Sequence, residues 1–292
     1  MSRTVYDLRD KVVLITGGTG GIGSAAAREL LRRGAKVAIA DLAAQTPKIA
    51  AGMSPASAIG VVADVRDPES LDVAVDTVVD RFGRLDIAIA NAGILARSGT
   101  LRTTPAAAVE SLLAVNVTGV VNTVQAALGQ VIAQRGQVAL ISSVFAFVNG
   151  MGTIPYAMTK AAVEQLGRGL RVELANHGVS TLTAYFSMVE TPMITEGLDG
   201  DPLVDQLLAT MPPAMLKRIA PETAATALVD GLARRSPTVF TPSRWKPLSM
   251  LRGLVNPMLD SRMSRDLRTQ SALSALDSRP ATDTTAESKG TA

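Results

Sequence analysis

The sequence predicts an α/β chain built on a parallel sheet, and three observations carry that expectation. Val12-Val13-Leu14-Ile15 is an unbroken apolar run, as expected of a strand buried on both faces. A glycine-rich turn and an Ala-rich helical stretch follow it directly. Similar apolar runs then alternate with helical segments along most of the chain, which is the signature of βαβ units.

Composition sets the bounds. At 292 residues, with 47% hydrophobic and 19% charged residues, the chain is globular and long enough to bury a core. Aromatics are 3%, so that core must be assembled from Ala, Val, Leu and Ile. A net charge of +3 gives no electrostatic case for nucleic acid. There is no cysteine, which excludes disulfides and thiolate metal sites. The single His177 stands in Ala-Asn-His-Gly, a helix end and turn, so no metal site is expected. The polar opening does not read as a signal peptide, and no apolar run is expected to span a membrane. The expected location is cytoplasmic.

In chain order, the first strand leads into Thr16-Gly17-Gly18-Thr19-Gly20-Gly21-Ile22-Gly23 and a helix over 24–33. Strand, glycine turn and helix make a phosphate cradle: glycines let the backbone approach a pyrophosphate, whose charge sits at the helix N-terminus. The glycines that set the spacing are Gly17, Gly21 and Gly23. A second strand over 36–40 ends in Asp41, which can accept from both ribose hydroxyls of an adenosine and would repel a 2′-phosphate. No Lys or Arg stands in the glycine turn or next to Asp41 to offset that repulsion, so NAD is favoured and NADP is the alternative. Asp41 can also cap a following helix. A third strand over 59–63 ends at Asp64-Val65, and Pro68 opens a helix to about 82. A fourth strand over 85–90 ends in Asn91-Ala92-Gly93, at the strand end where ligands of open α/β sheets bind, although a plain turn reads the same way. A helix over 105–134 carries Asn116 among apolar neighbours, where a polar amide needs partners.

The fifth strand, over 138–141, delivers Ser143, and Tyr156 and Lys160 follow four residues apart at the head of a helix over 156–176. That spacing puts both side chains on one helical face. A phenol with an ordinary pKa of about 10 is a poor base at neutral pH. A neighbouring ammonium, helped by a cationic cofactor, is expected to lower it. The Ser143 hydroxyl facing Tyr156 can hold a carbonyl or alcohol oxygen between them, which makes a proton-transfer site. A sixth strand over 179–186 is followed by Ser187-Met188-Val189-Glu190-Thr191. Beyond it, Met193, Ile194, Leu198, Leu203, Leu207, Leu208, Met211 and Met215 give an apolar, adaptable segment. A helix over 221–235 and a last strand over 238–241 complete the pattern.

In these residues the chain resembles the short-chain dehydrogenase/reductase family over roughly 8–242. The motifs appear in order: Thr16-Gly17-x-x-x-Gly21-x-Gly23, Asp64-Val65, Asn91-Ala92-Gly93, Asn116, Ser143 and Tyr156-x-x-x-Lys160. The resemblance implies a Rossmann-like, three-layer, doubly wound sheet of about seven strands with helices on both faces. It implies an NAD(P)-dependent oxidoreductase that interconverts a secondary alcohol and a ketone. Tyr156 would move the proton, Lys160 would lower the Tyr156 pKa and hold the nicotinamide ribose, Ser143 would bind the substrate oxygen, and Asn116 would position a relay water. Cofactor contacts would fall at Gly17, Thr19, Gly21, Ile22, Gly23, Asp41, Asp64, Val65, Asn91, Gly93, Tyr156, Lys160, Val189 and Thr191. Homodimers or homotetramers would form through the helices over 105–134 and 156–176. One departure stands out: Phe186-Ser187 replaces the family's Pro-Gly after the sixth strand.

The segment after Thr191 would form the lid of the substrate site, and its apolar residues point to a hydrophobic alcohol or ketone. The chain divides into a catalytic domain over 1–245, a basic amphipathic extension over 246–276, and a tail over 277–292 expected to be disordered. The extension can serve as a pocket cover, a subunit contact or a peripheral membrane contact. A non-catalytic dinucleotide sensor is the alternative function.

Overall fold

The computed structural model describes residues 5–279. Seven strands form one sheet: β1 (Val12–Thr16), β2 (Lys36–Asp41), β3 (Ala58–Val62), β4 (Ile87–Ala90), β5 (Gln137–Ser143), β6 (Ser180–Phe186) and β7 (Thr238–Thr241). Their order is β3-β2-β1-β4-β5-β6-β7, with every neighbouring pair parallel. The strand order reverses between β1 and β4, and a reversal of this kind opens a crevice at the carboxyl ends of the strands.

The helices α1 (Gly21–Arg32), α2 (Thr46–Met53), α3 (Pro68–Phe82), α4 (Ala106–Leu113), α5 (Gly119–Ala133) and α6 (Ile154–Glu173) alternate with the first strands. Three short helices, α7 (Pro192–Gly197), α8 (Pro202–Leu208) and α9 (Pro213–Leu216), cross from β6 to α10 (Pro221–Ala233). Helices α11 (Trp245–Met263) and α12 (Leu267–Asp277) follow β7.

Two cores sandwich the sheet, and strand alternation divides β1 between them. Val13 and Ile15 face α1 and α10, while Val12 and Leu14 face α3 and α5. Both faces are dry, which is why the run lacks the polar alternation of a half-exposed strand. Each fully buried Leu or Ile contributes roughly 2 kcal/mol. Small residues set the close spacing: Ala25, Ala26 and Ala27 of α1 share a core with Ala224 and Ala225 of α10. On β3, a Cβ at Gly60 would lie 2.2 Å from the Thr46 carbonyl oxygen, so α2 rests directly on the strand.

The expected helix over 105–134 is interrupted by a single π turn, Ala114–Thr118, between α4 and α5. By length and apolar composition alone, 106–133 would suffice to cross a membrane. Its Val120, Val124, Ala127 and Val131 are instead spent on the sheet. Asp41 does not cap the next helix: α2 starts at Thr46 with Gln45 at its N-cap, and Asp41 faces the glycine turn.

The extension expected over 246–276 forms two helices, α11 and α12, and is tied to the body of the protein. The Arg252 guanidinium donates to both Glu164 oxygens at 2.9 and 2.7 Å, which lays α11 against α6. Part of the helix that the resemblance assigns to subunit contact is therefore covered within the chain. The expectation of disorder from 277 onward fails for the first three residues. Asp277 closes α12 and bonds Thr100, and buried Arg279 donates to the Ser98 carbonyl and to Asp201. A buried guanidinium with two acceptors is worth more to the fold than the polar composition of the tail suggests. Residues 280–292 lie outside the described residues.

Candidate active site

A cleft of about 370 Å³ runs along the carboxyl ends of the strands and gathers most of the residues singled out in the sequence. Its floor is the glycine turn between β1 and α1. Gly17 takes φ of 64°, and a Cβ there would lie 2.8 Å from Ala92 Cα. A Cβ at Gly23 would lie 2.2 Å from the Gly17 carbonyl oxygen, so the turn closes on itself only with glycine at both places. Gly21 lies under Thr191, whose Cγ2 would be 2.5 Å from an added Cβ. Helix α1 has neither a side-chain cap nor an acidic first turn, so its leading amides stay available to an anion. The turn therefore combines close backbone packing with uncapped helix amides, a shape and polarity suited to an anion.

Asn91 braces this floor. Its Nδ2 donates to the carbonyls of Thr16 and Gly17 at 3.0 and 2.9 Å, and its backbone amide donates to Thr16 Oγ1 at 3.2 Å. The side chain is therefore used in holding β1 to β4, leaving its cleft-facing surface for a ligand. At the adenosine end, Asp41 Oδ2 accepts from the Thr19 amide at 3.0 Å and the Thr19 hydroxyl at 2.6 Å. Thr19 and Ile22 line the cleft beside it. Asp64 is gripped by Arg66, which holds its carboxyl below the ordinary range. Buried Val65 packs where a Cβ at Gly119 would come within 2.6 Å of its Cγ2.

The chemical end is built from β5, α6 and the π turn. Lys160 is buried, and its Nζ donates to the Ile141 carbonyl at 3.1 Å while lying 5.5 Å from the centre of the Tyr156 ring. Burial lowers its pKa to about 8. Asn116 is wholly buried in the π turn, a distortion common at functional sites. Its amide exchanges hydrogen bonds with Ile94: Oδ1 accepts from the Ile94 amide at 2.8 Å and Nδ2 donates to the Ile94 carbonyl at 3.0 Å. Gly93 allows this approach, since a Cβ there would meet Asn116 Oδ1 at 3.2 Å and Lys160 Nζ at 3.6 Å.

Ser143 Oγ donates to the Phe186 carbonyl at 3.3 Å and accepts from the Phe145 amide at 3.2 Å. Phe145 also packs edge-on against Tyr156, with ring centres 6.0 Å apart. Phe145 carries no sequence signal beyond its nearness to Ser143. Burial pushes the Tyr156 phenol up to about 12, while Ser143 favours the ionised form. That position is set by the protein's own surroundings, whereas the expected lowering also calls on a bound cationic cofactor. Within the protein alone desolvation dominates, and the Lys160 ammonium is bonded to the Ile141 carbonyl.

Tyr156 and Ser143 also line a second, apolar chamber of about 80 Å³, walled by Phe145, Met151, Met193, Leu207 and Met211 among others. The Phe186-Ser187 departure falls on this shared wall: Phe186 ends β6 as a core residue, and Ser187 lines both cavities. Val189 is buried and bridges Ile219, and Thr191 borders the cleft. Leu207 of the lid packs with Ala272 and Leu276 of α12, so the C-terminal extension buttresses the chamber wall. Arg279 adds its bond to Asp201, which caps α8. Among the described residues no group of acidic and imidazole side chains could hold a metal.

Residues 11–200 match the short chain dehydrogenase family model. The 2-(R)-hydroxypropyl-CoM dehydrogenase of Xanthobacter autotrophicus is 34% identical over 209 residues, covering 69% of this chain and 84% of that protein. The cis-4-hydroxycyclohexanecarboxylate dehydrogenase of Sinomonas cyclohexanicum is 32% identical over 222 residues, covering 75% and 88%. Among solved structures, levodione reductase superposes with a TM-score of 0.71 at 25% identity, covering 80% of this chain and 96% of that one. The fold, the glycine-floored cleft and these matches lead to one conclusion: the chain belongs to the short-chain dehydrogenase/reductase family, oxidoreductases that act on CH-OH groups with a nicotinamide dinucleotide.

Proposed function

We propose that this protein interconverts a hydrophobic secondary alcohol and its ketone with NAD(H), through Ser143, Tyr156, Lys160 and Asn116. The observation that carries the reading is the placement of Tyr156 and Ser143 on the wall common to the glycine-floored cleft and the apolar chamber. A substrate carbon held there would lie beside the Tyr156 proton donor and next to the cleft whose residues would hold the dinucleotide. The residues of the cleft would hold a nicotinamide dinucleotide, which would supply hydride-transfer chemistry there.

The chain's own groups handle the proton and the orientation. With its pKa near 12, the Tyr156 phenol carries its proton at neutral pH and is set to give it to a carbonyl oxygen. Taking a proton from an alcohol requires the phenolate, which positive charge brought next to the ring favours. Ser143 Oγ holds the substrate oxygen by hydrogen bonding. Lys160 Nζ, anchored on the Ile141 carbonyl, stands where it can bond a ribose hydroxyl. Asn116 holds the Ile94 backbone and keeps the π turn open at its own main chain, the place for a relay water. The Met- and Leu-rich chamber excludes water and favours an apolar substrate.

The preference for NAD rests on Asp41 and on the charges around it. Among the described residues lining the cleft, Lys160 is the one cation, and it stands at the nicotinamide end. A 2′-phosphate would meet the Asp41 carboxylate with nothing to neutralise it.

The test is NAD⁺ reduction against a panel of secondary alcohols, from short aliphatics to steroids, with Tyr156→Phe as the control. Turnover that the control loses supports the reaction, and its ranking across the panel reads the chamber. Tight NADH binding without turnover of any alcohol or ketone would favour a dinucleotide sensor.

A further inference from the structure

Helix α11 is attached to the protein by its polar side. Trp245 and Leu248 join the aromatic cluster at its start. After them Arg252, Asn256 and Asp260, spaced four residues apart, each bond a group on the body of the protein. Arg252 binds Glu164, Asn256 Nδ2 donates to the Phe147 carbonyl at 2.7 Å, and Asp260 Oδ1 accepts from Asn149 Nδ2 at 3.0 Å. These anchors fix the rotation of the helix and leave Met250, Leu254 and Met258 pointing outward, 77%, 74% and 73% exposed. A surface helix normally buries its apolar stripe and shows its polar one. Here the order is reversed, and an apolar ridge of two turns is held out to solvent.

The charges around the ridge narrow what covers it. Exposed Arg244 and Lys246 stand at one end of α11, and exposed Arg262, Arg265 and Arg268 at the other. None of these five forms an ion pair among the described residues. The acids within reach are already used: Asp260 on Asn149, and Asp266 as the cap of α12 on Thr269. A helix that is positive at both ends repels its own copy in either orientation, parallel or antiparallel. Residues 280–292 contain no Leu, Ile, Val, Met or aromatic side chain, so the chain's own tail brings no apolar surface to the ridge.

We infer that α11 is a docking surface for an anionic lipid bilayer, lying in the interface with Met250, Leu254 and Met258 among the acyl chains and the basic residues at headgroup level. Unbranched Met and Leu side chains fit a disordered acyl boundary, and flanking cations add attraction to anionic headgroups. The surface is separate from the catalytic cleft, so it stands or falls independently of the reaction.

The experiment is co-sedimentation of the full chain with vesicles of phosphatidylglycerol and phosphatidylcholine in equal parts, against vesicles of phosphatidylcholine alone. Two variants accompany it: Met250→Glu/Leu254→Glu/Met258→Glu, and Arg262→Ala/Arg265→Ala. All five positions are exposed, so unfolding midpoints should match wild type, and the second variant keeps the ridge intact should the first fail to fold. Wild type is expected to sediment with the anionic vesicles, and more weakly as salt rises. The ridge variant should stay in the supernatant, and the charge variant should lose about tenfold or more in partitioning. Three results would overturn the inference: no wild-type sedimentation with anionic vesicles, a folded ridge variant that sediments like wild type, or binding to phosphatidylcholine alone at equal strength. Light scattering that shows a wild-type dimer broken by the ridge variant, without vesicle binding, would assign the ridge to a second copy instead.

Discussion

The two cavities that meet at Tyr156 are made in different ways. The cleft is lined by backbone and short side chains at the ends of strands that are buried in the sheet, and its floor is fixed by contacts into which no Cβ fits. The chamber is walled by flexible Met and Leu side chains from α7, α8 and the turns around them, and its outer wall is held by α12. One cavity is built into the sheet, and the other is assembled from segments added after it. A shared ligand, the dinucleotide, demands a rigid fit, whereas a substrate pocket can be rebuilt by changing a lid while the sheet stays as it is.

Substitutions separate the two. The largest effect is expected on the shared wall: Ser143→Ala should lower kcat by about a hundredfold or more, with NADH affinity measured by fluorescence kept near wild type. If NADH binding fell in parallel, Ser143 would belong to the cleft alone. Next comes the chamber. Leu207→Ala removes a buried side chain shared by the lid and α12, and should cost roughly 2 kcal/mol in urea unfolding. It should also raise KM for hydrophobic substrates while leaving the NADH dissociation constant unchanged. A matching loss of NADH affinity would show that the lid supports both cavities.

A third difference is electrostatic. Lys160 has a folded pKa of about 8 against an ordinary 10.5, because burial disfavours its charge. Between those values the unfolded chain binds the proton and the folded one does not, so folding stability should rise with pH across that window. Below pH 8 the full cost of burying the charge is present. Measured against Lys160→Met, wild type should gain up to ~3 kcal/mol over this interval, and parallel pH profiles would refute the assignment. The smallest effect is expected at the far end of the cleft. Asp41→Ser removes the carboxylate that accepts from Thr19, and should shift the NADH to NADPH affinity ratio by about tenfold towards NADPH. An unchanged ratio would mean that Asp41 only shapes the turn.

How much of this was legible in the sequence differs along the chain for physical reasons. The strands announced themselves because burial on both faces leaves an unbroken apolar run, as at Val12-Val13-Leu14-Ile15. The glycine turn was legible because Gly17 and Gly23 meet backbone atoms that exclude every other residue. The bounds of α2 were not legible, since it is short, carries Pro47 and Gly52, and is placed by contact with Gly60. The π turn was equally hidden: Asn116 reads as a polar residue in a helix until Ile94 is seen to exchange hydrogen bonds with it. Arg279 looked like part of a polar tail because its acceptors, Ser98 and Asp201, lie far away in sequence.

By itself the sequence determined the alternation of strands and helices and the glycine turn, because both follow from local rules of burial and backbone freedom, while the layer order and the residues expected at the reacting centre came with the family resemblance. Tertiary structure decided the rest. Desolvation, which depends on what surrounds a side chain from every direction, set the Tyr156 phenol high and the Lys160 amine low. Long-range bonds from Arg252 and Arg279 decided that the C-terminal extension lies on the body of the protein. Its one strongly apolar face turned outward because the polar face had partners on α6 and the β5–α6 segment that no local pattern foretold.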